Sequence, residues 1–141
     1  MGSEMCIRAG VGSGTTSTLI SVIAARCRIA FPATEHWYVI DARGDHALDG
    51  VAGIGHCGAV VRATERERLH RLLVRLDALI DQPAVDDGLA PTVSLGLDGL
   101  ASLRLALSSI EMAPTLALLE RVLADRPPVG LVCCWTADGA T

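Results

Sequence analysis

The sequence predicts an α/β fold, a three-layer sandwich around a mainly parallel sheet, and three observations carry that expectation. Short, almost wholly apolar runs recur along the 141 residues. Segments with helical spacing of apolar residues lie between them. The first run passes into the first such segment through a glycine-rich turn, A-G-V-G-S-G-T-T-S, over Ala9 to Ser17. A strand that is apolar at every position is buried on both faces, which a parallel sheet covered by helices requires.

The elements follow in order. Met5 to Arg8 is a strand feeding the glycine-rich turn. Thr16 to Phe31 has apolar residues at 19, 20, 23, 24, 27 and 30, a helical period, and Pro32 ends it. Trp37 to Ile40 is a compact β-rich run ending at Asp41. Ala42 to Gly58 is loop-rich, with a short helix near Ala47 to Val51, and Gly58 to Arg62 is the next strand. Thr64 to Ile80 is the clearest helix. Thr64 is placed as N-cap with Glu67 three residues on, as in a capping box. Leu69, Leu72, Leu73, Leu76, Leu79 and Ile80 form its apolar stripe, and Arg66, Arg68, Arg71 and Arg75 lie on its other faces. Gln82 to Pro91 is an acidic, proline-bearing linker. Thr92 to Leu97 is a strand ending at Asp98, Leu100 to Ser108 and Pro114 to Ala124 are helices, and Val129 to Trp135 is the last strand.

Composition narrows the function. One domain accounts for residues 1–141, and half of the residues are apolar, enough for a sizeable core. The net charge is −4, the wrong sign for a chain whose whole surface holds nucleic acid. Four aromatic residues in all leave little for stacking bases. All twelve basic residues are arginine; the chain has no lysine. Cys6, Cys27, Cys57, Cys133 and Cys134 are odd in number and lack C-x-x-C spacing, so they read as reduced, buried thiols. His36, His46, His56 and His70 share no i, i+4 spacing, and no structural metal is expected. No apolar run approaches the ~18 residues of a membrane span, and no secretory leader is visible, which points to the cytoplasm and to no membrane insertion by this chain. The abrupt start at a strand and stop just after one predict a piece of a longer multidomain polypeptide.

Three segments carry candidate chemistry. The turn at Ala9 to Ser17 follows the phosphate-loop pattern G-x-x-x-x-G-K-[ST], with Thr15 where the lysine belongs. Its backbone N–H groups at a helix N-terminus suit phosphate, with Gly12, Ser13, Gly14, Thr15, Thr16 and Ser17 as the nucleotide-binding candidates. Thr16 holds the hydroxyl position that meets magnesium. The alternative is a turn that merely joins strand to helix. The second segment, T-V-S-L-G-L-D-G over Thr92 to Gly99, has the form of a Walker B strand with Asp98 at its end. Gly99 stands where a water-polarising acid often follows. The alternative makes Asp98 the cap of the next helix. The third, V-I-D-A-R-G over Val39 to Gly44, ends a strand at Asp41, where ligands bind in open α/β sheets, or else supplies solvated loop charges. Thr136, after the last strand, is a candidate γ-phosphate sensor. The arginines from Arg62 to Arg75, interleaved with Glu65, Glu67 and Asp77, read as a solvated mixed-charge face.

Together these segments resemble the FtsK/SpoIIIE-type P-loop ATPase domains of actinobacteria, including the tandem ATPase modules of the type VII secretion protein EccC. A-G-V-G-S-G-T-T-S-T-L stands where such domains carry their glycine-rich loop. W-Y-V-I-D resembles the second strand, Gly53 to Arg62 the following turn and strand, and Val93 to Leu100 the Walker B run with the D-G ending of degenerate modules. Leu131 to Asp138 resembles the strand that carries the threonine sensor. The resemblance spans nearly the whole chain and implies a RecA-like P-loop core, truncated at its C-terminal side. It implies ATP and magnesium as ligands, magnesium being held through the nucleotide by Thr16 and Asp98. It implies partners in neighbouring ATPase modules of the same or adjacent subunits, an oligomer in the full-length protein, and a secreted protein or DNA as cargo. The departures are Ala9 for the first glycine, Thr15 for the lysine, Gly99 for the acid, Ile20 for an arginine and a shortened insertion before Thr92. They predict a degenerate module with no catalytic residue of its own. An active ATP-driven DNA or protein translocation motor, and a peptide-docking module without nucleotide, are the alternatives.

Overall fold

Every strand of the sheet runs parallel to its neighbours, in the order β1-β5-β4-β2-β3. The computed structural model describes residues 3–8, 19–25, 35–44, 48–53, 55, 57–80, 92–124 and 131–137. The strands are β1 (Ser3–Arg8), β2 (Glu35–Asp41), β3 (Cys57–Arg62), β4 (Thr92–Asp98) and β5 (Leu131–Ala137). The helices are α1 (residues 19–25), α2 (Arg66–Ile80), α3 (Leu100–Ala106) and α4 (Ala113–Ala124), with single 3₁₀ turns at Asp49–Gly53 and Ile110–Met112. All five expected strands are present. β5 extends past Trp135, so Thr136 lies inside it, paired in register with Ile7, and does not follow it as expected.

The sequence places two connections in each direction across the sheet, and this sorts the helices onto opposite faces. β1 to β2 and β2 to β3 step one way; β3 to β4 and β4 to β5 step back. With right-handed crossovers, the helices of the two sets fall on opposite sides. The two cores agree with this. Leu19 and Ile23 of α1 pack with Trp37, Val39, Leu48 and Val51. Leu69, Leu73 and Leu76 of α2, Leu103 of α3 and Leu119 and Val122 of α4 pack with Ile40, Val61, Leu95 and Leu97. Alternate residues of β2 thus serve opposite layers, as the pleat dictates.

β4 is asymmetric. Its α2-side positions are Leu95 and Leu97, while its α1-side positions are Ser94 and Gly96. At Gly96 an added Cβ would stand 3.4 Å from Ile23 Cδ1 and 3.5 Å from the Trp37 ring, so the bare backbone leaves room for that ring and α1. On the other face α2 and α4 pack together, and His70 Nδ1 lies 2.8 Å from Thr115 Oγ1, joining them.

The start of α2 differs from the expected capping box. Leu69 N–H bonds to the Glu65 carbonyl at 2.9 Å, so Glu65 and not Thr64 is the last residue before the helix. The Glu65 carboxylate turns back to accept the Arg62 N–H at 3.1 Å and also holds Arg68. The carboxylate thus ties the end of β3 to the start of α2, and an acid sits well at a helix N-terminus.

Candidate functional site

The C-terminal ends of β2 and β4 bring Asp41 and Asp98 side by side. They are register partners on adjacent parallel strands, 1% and 0% exposed. By the alternation of the pleat, Asp41 shares the face of Trp37 and Val39, and Asp98 that of Ser94 and Gly96. Both carboxylates therefore lie on the α1 side of the sheet, the side whose helix the glycine-rich turn precedes in sequence. Ala42 N–H bonds to the Asp98 carbonyl at 3.0 Å, and Ala63 N–H to the Asp41 carbonyl at 3.2 Å, fastening the three strand ends together.

Asp41 is the anchor of a tight turn. Its Oδ1 accepts the backbone N–H of Arg43 at 3.1 Å and of Gly44 at 3.0 Å. This is the local hydrogen bonding that aspartate favours in turns. Gly44 stands at φ 73°, in the left-handed region that glycine enters without penalty. Asp41 Oδ2 is buried with no hydrogen-bond partner. The solvated-loop alternative for Asp41 is thus overturned by its burial.

The turn delivers Arg43 to Asp98. Its Nε lies 3.4 Å from Asp98 Oδ1, with the arginine side chain 26% exposed and the carboxylate fully buried. At an effective dielectric near 20 such a pair attracts by roughly 4–5 kcal/mol before desolvation is counted. Desolvation of Asp98 offsets much of that, and breaking the pair takes away a cation that faces a fully buried carboxylate. Arg43 is the residue that sequence reasoning passed over. Its signal was the arginine two places after a strand-terminal aspartate, and its target depends on the β2–β4 register, which no local pattern reveals.

Asp98 is not the cap of α3. Gly99 holds the N-cap position, at φ 87° and ψ 65°, and no side chain caps the helix there. The Gly12, Ser13, Gly14, Thr15, Thr16 and Ser17 candidates lie outside the described residues, as do Cys27, His46, His56 and the linker Gln82 to Pro91. Thr136 is placed by its backbone in β5, two strands from β2. Among the described residues, no group of three or more His, Cys, Asp or Glu side chains is arranged to hold a metal. Cys57 is a free, half-buried thiol, and burial raises its pKa above the ordinary 9.0.

Away from this edge, Arg68, Arg71 and Arg75 of α2 line an open cleft of about 420 Å³ with Tyr38 and Gly58. A Cβ at Gly58 would meet Tyr38 Cε1 at 2.7 Å, so glycine there lets the ring lie across β3. Arg68 is paired with Glu65, which fits the expected mixed-charge face. Among the described residues, no single helix is long and apolar enough to cross a membrane.

No protein-family model and no curated protein sequence matches the chain. Solved structures do. EssC (ATPases 2 and 3) from Geobacillus thermodenitrificans matches with a TM-score of 0.79 at 18% identity, over 97% of this chain and 28% of that one. Thermomonospora curvata EccC (ATPases 2 and 3), solved with a signal sequence peptide, matches with a TM-score of 0.71 at 15% identity, over 97% and 25%. The pCW3 conjugation coupling protein TcpA, solved with ATPγS, gives 0.63 at 16% identity, over 96% and 42%. The chain therefore spans less than half the length of each of these three structures. At these identities the likeness is one of architecture: the chain has the P-loop ATPase-type fold seen in type VII secretion ATPases and in a conjugation coupling protein.

Proposed function

We propose that this chain is a non-hydrolysing ATPase-fold module of an FtsK/SpoIIIE-like translocase or type VII secretion ATPase. In this reading it works in the cytoplasm beside neighbouring ATPase modules, in a structural, regulatory or substrate-docking role toward a secreted protein or DNA. The observation that carries the proposal is the pairing of two losses in one predicted cleft. Thr15 puts a neutral hydroxyl where phosphoryl transfer needs an ammonium, and no lysine exists elsewhere in the chain. Gly99 follows Asp98 with no acid to polarise water. Removing one preorganised charge from such a site costs several kcal/mol of transition-state stabilisation, and here two groups are gone.

The residues described do not fit an ATP·Mg site in its ordinary form. The carboxylate that would face magnesium's hydration shell is already ion-paired with Arg43. The likeness to domains that sit in tandem, as ATPases 2 and 3 of EssC and EccC do, supports a role next to other modules. Purified protein is expected to hydrolyse ATP no faster than background. Turnover of ~1 per second, at the low end for kinases, that disappears in Asp98→Ala would refute the proposal. Titration calorimetry with ATP·Mg then separates a nucleotide-holding module from a docking module that binds none.

A further inference from the structure

We infer that Arg43 is a built-in replacement for the divalent cation at the sheet edge: its guanidinium neutralises Asp98 from within the chain and keeps metal ions out. The inference rests on the non-hydrolysing reading and deepens it. Two buried carboxylates stand side by side where β2 and β4 end. In water such a pair would draw a cation, and hard oxygen ligands favour magnesium, calcium or manganese. The structure supplies a cation of its own. Arg43 is fixed by the two hydrogen bonds that Asp41 Oδ1 accepts from the turn, by the left-handed Gly44, and by its pairing with Asp98. Asp41 thereby acts as a positioning residue for the guanidinium.

Geometry makes the replacement exclusive. A metal ion binding Asp98 would approach the guanidinium that already lies against that carboxylate, and two cations at one buried site repel strongly in low dielectric. The guanidinium is carried by the chain itself, whereas magnesium keeps part of its coordination for water or phosphate oxygens. The edge is thus held together without nucleotide. Asp41 Oδ2, buried and without a hydrogen-bond partner, is the atom left open for an incoming ion once Arg43 is removed.

The test uses Mn²⁺ alone, counted by the loss of its free paramagnetic resonance signal, on the full chain. Wild type is expected to bind no stoichiometric Mn²⁺ at millimolar concentration, and Arg43→Gln to bind one ion at least about tenfold more tightly. Arg43→Gln with Asp98→Asn should lose that ion. Equal Mn²⁺ affinity in wild type and Arg43→Gln overturns the inference, as does binding that survives Asp98→Asn. If Arg43→Gln is too unstable to titrate, melting decides: the double variant should recover most of the loss, because it removes the buried carboxylate that Arg43 faces. A double variant that melts no higher than the single one overturns the inference. Nucleotide takes no part in these measurements, so wild-type ATP turnover would sink the non-hydrolysing reading separately.

Discussion

A glutamate at position 99 would have to adopt the backbone that Gly99 holds, φ 87° and ψ 65°, to leave α3 where it is. That conformation costs a residue with a Cβ about 1–2 kcal/mol. The missing acid is therefore tied to the local chain path. Gly99→Glu is expected to lower stability in urea by about 1–2 kcal/mol and to confer no ATP turnover. Equal or greater stability would show that the turn relaxes freely. At this scale the sequence was informative about Asp41 and Asp98, since each closes an apolar run. It was silent about Arg43, whose role arises only when residues far apart in the chain become register partners. It misled on Thr64, because a threonine followed by Glu67 looks like a capping box while Glu65 supplies the better-placed carboxylate.

The start of α2 shows how one such side chain serves an element. Glu65 receives the Arg62 N–H and the Arg68 side chain, and these partners, Arg68 first, lower its pKa from the ordinary 4.5. A depressed folded-state value contributes stability that is present above pH 4.5 and fades as pH falls below it. Glu65→Gln is thus expected to flatten the loss of melting temperature between pH ~5 and pH ~3, while wild type and variant keep that difference smaller in high salt. An unchanged acid limb would mean that the carboxylate contributes nothing at the cap. The elements themselves were legible because period and burial agree: Leu69, Leu72, Leu73 and Leu76 of the α2 stripe and the apolar residues of β2 and β4 pack into the core. Their ends were less so. β5 runs through Thr136, whose register partner is Ile7 of β1, and α3 stops at Ala106, where the Ser108 N–H and hydroxyl turn back to the Leu105 carbonyl.

Across the whole molecule, two apolar layers meet at one sheet, and among the described residues the α1 layer holds fewer buried side chains than the other. Ile23 is fully buried between α1, Trp37 and the bare backbone of Gly96. Ile23→Ala is expected to cost about 2–5 kcal/mol, and the Trp fluorescence and far-UV circular dichroism transitions should still coincide. A separate early transition for fluorescence would mean that the α1 layer melts on its own. The parallel, helix-covered sheet was legible in the sequence, whereas the strand order was not, since nothing local says that β1 lies beside β5. That pairing, Ser3 with Val132 through Arg8 with Ala137, joins the first strand to the last. During synthesis β1 is made before the other four strands of this sheet and waits, without this partner, until β5 has followed. Closure of so long a loop is slow, and an unsatisfied apolar strand is sticky in the meantime. The sheet therefore closes only once β5 has been made, and β1, whose one neighbour it is, waits longest for its place.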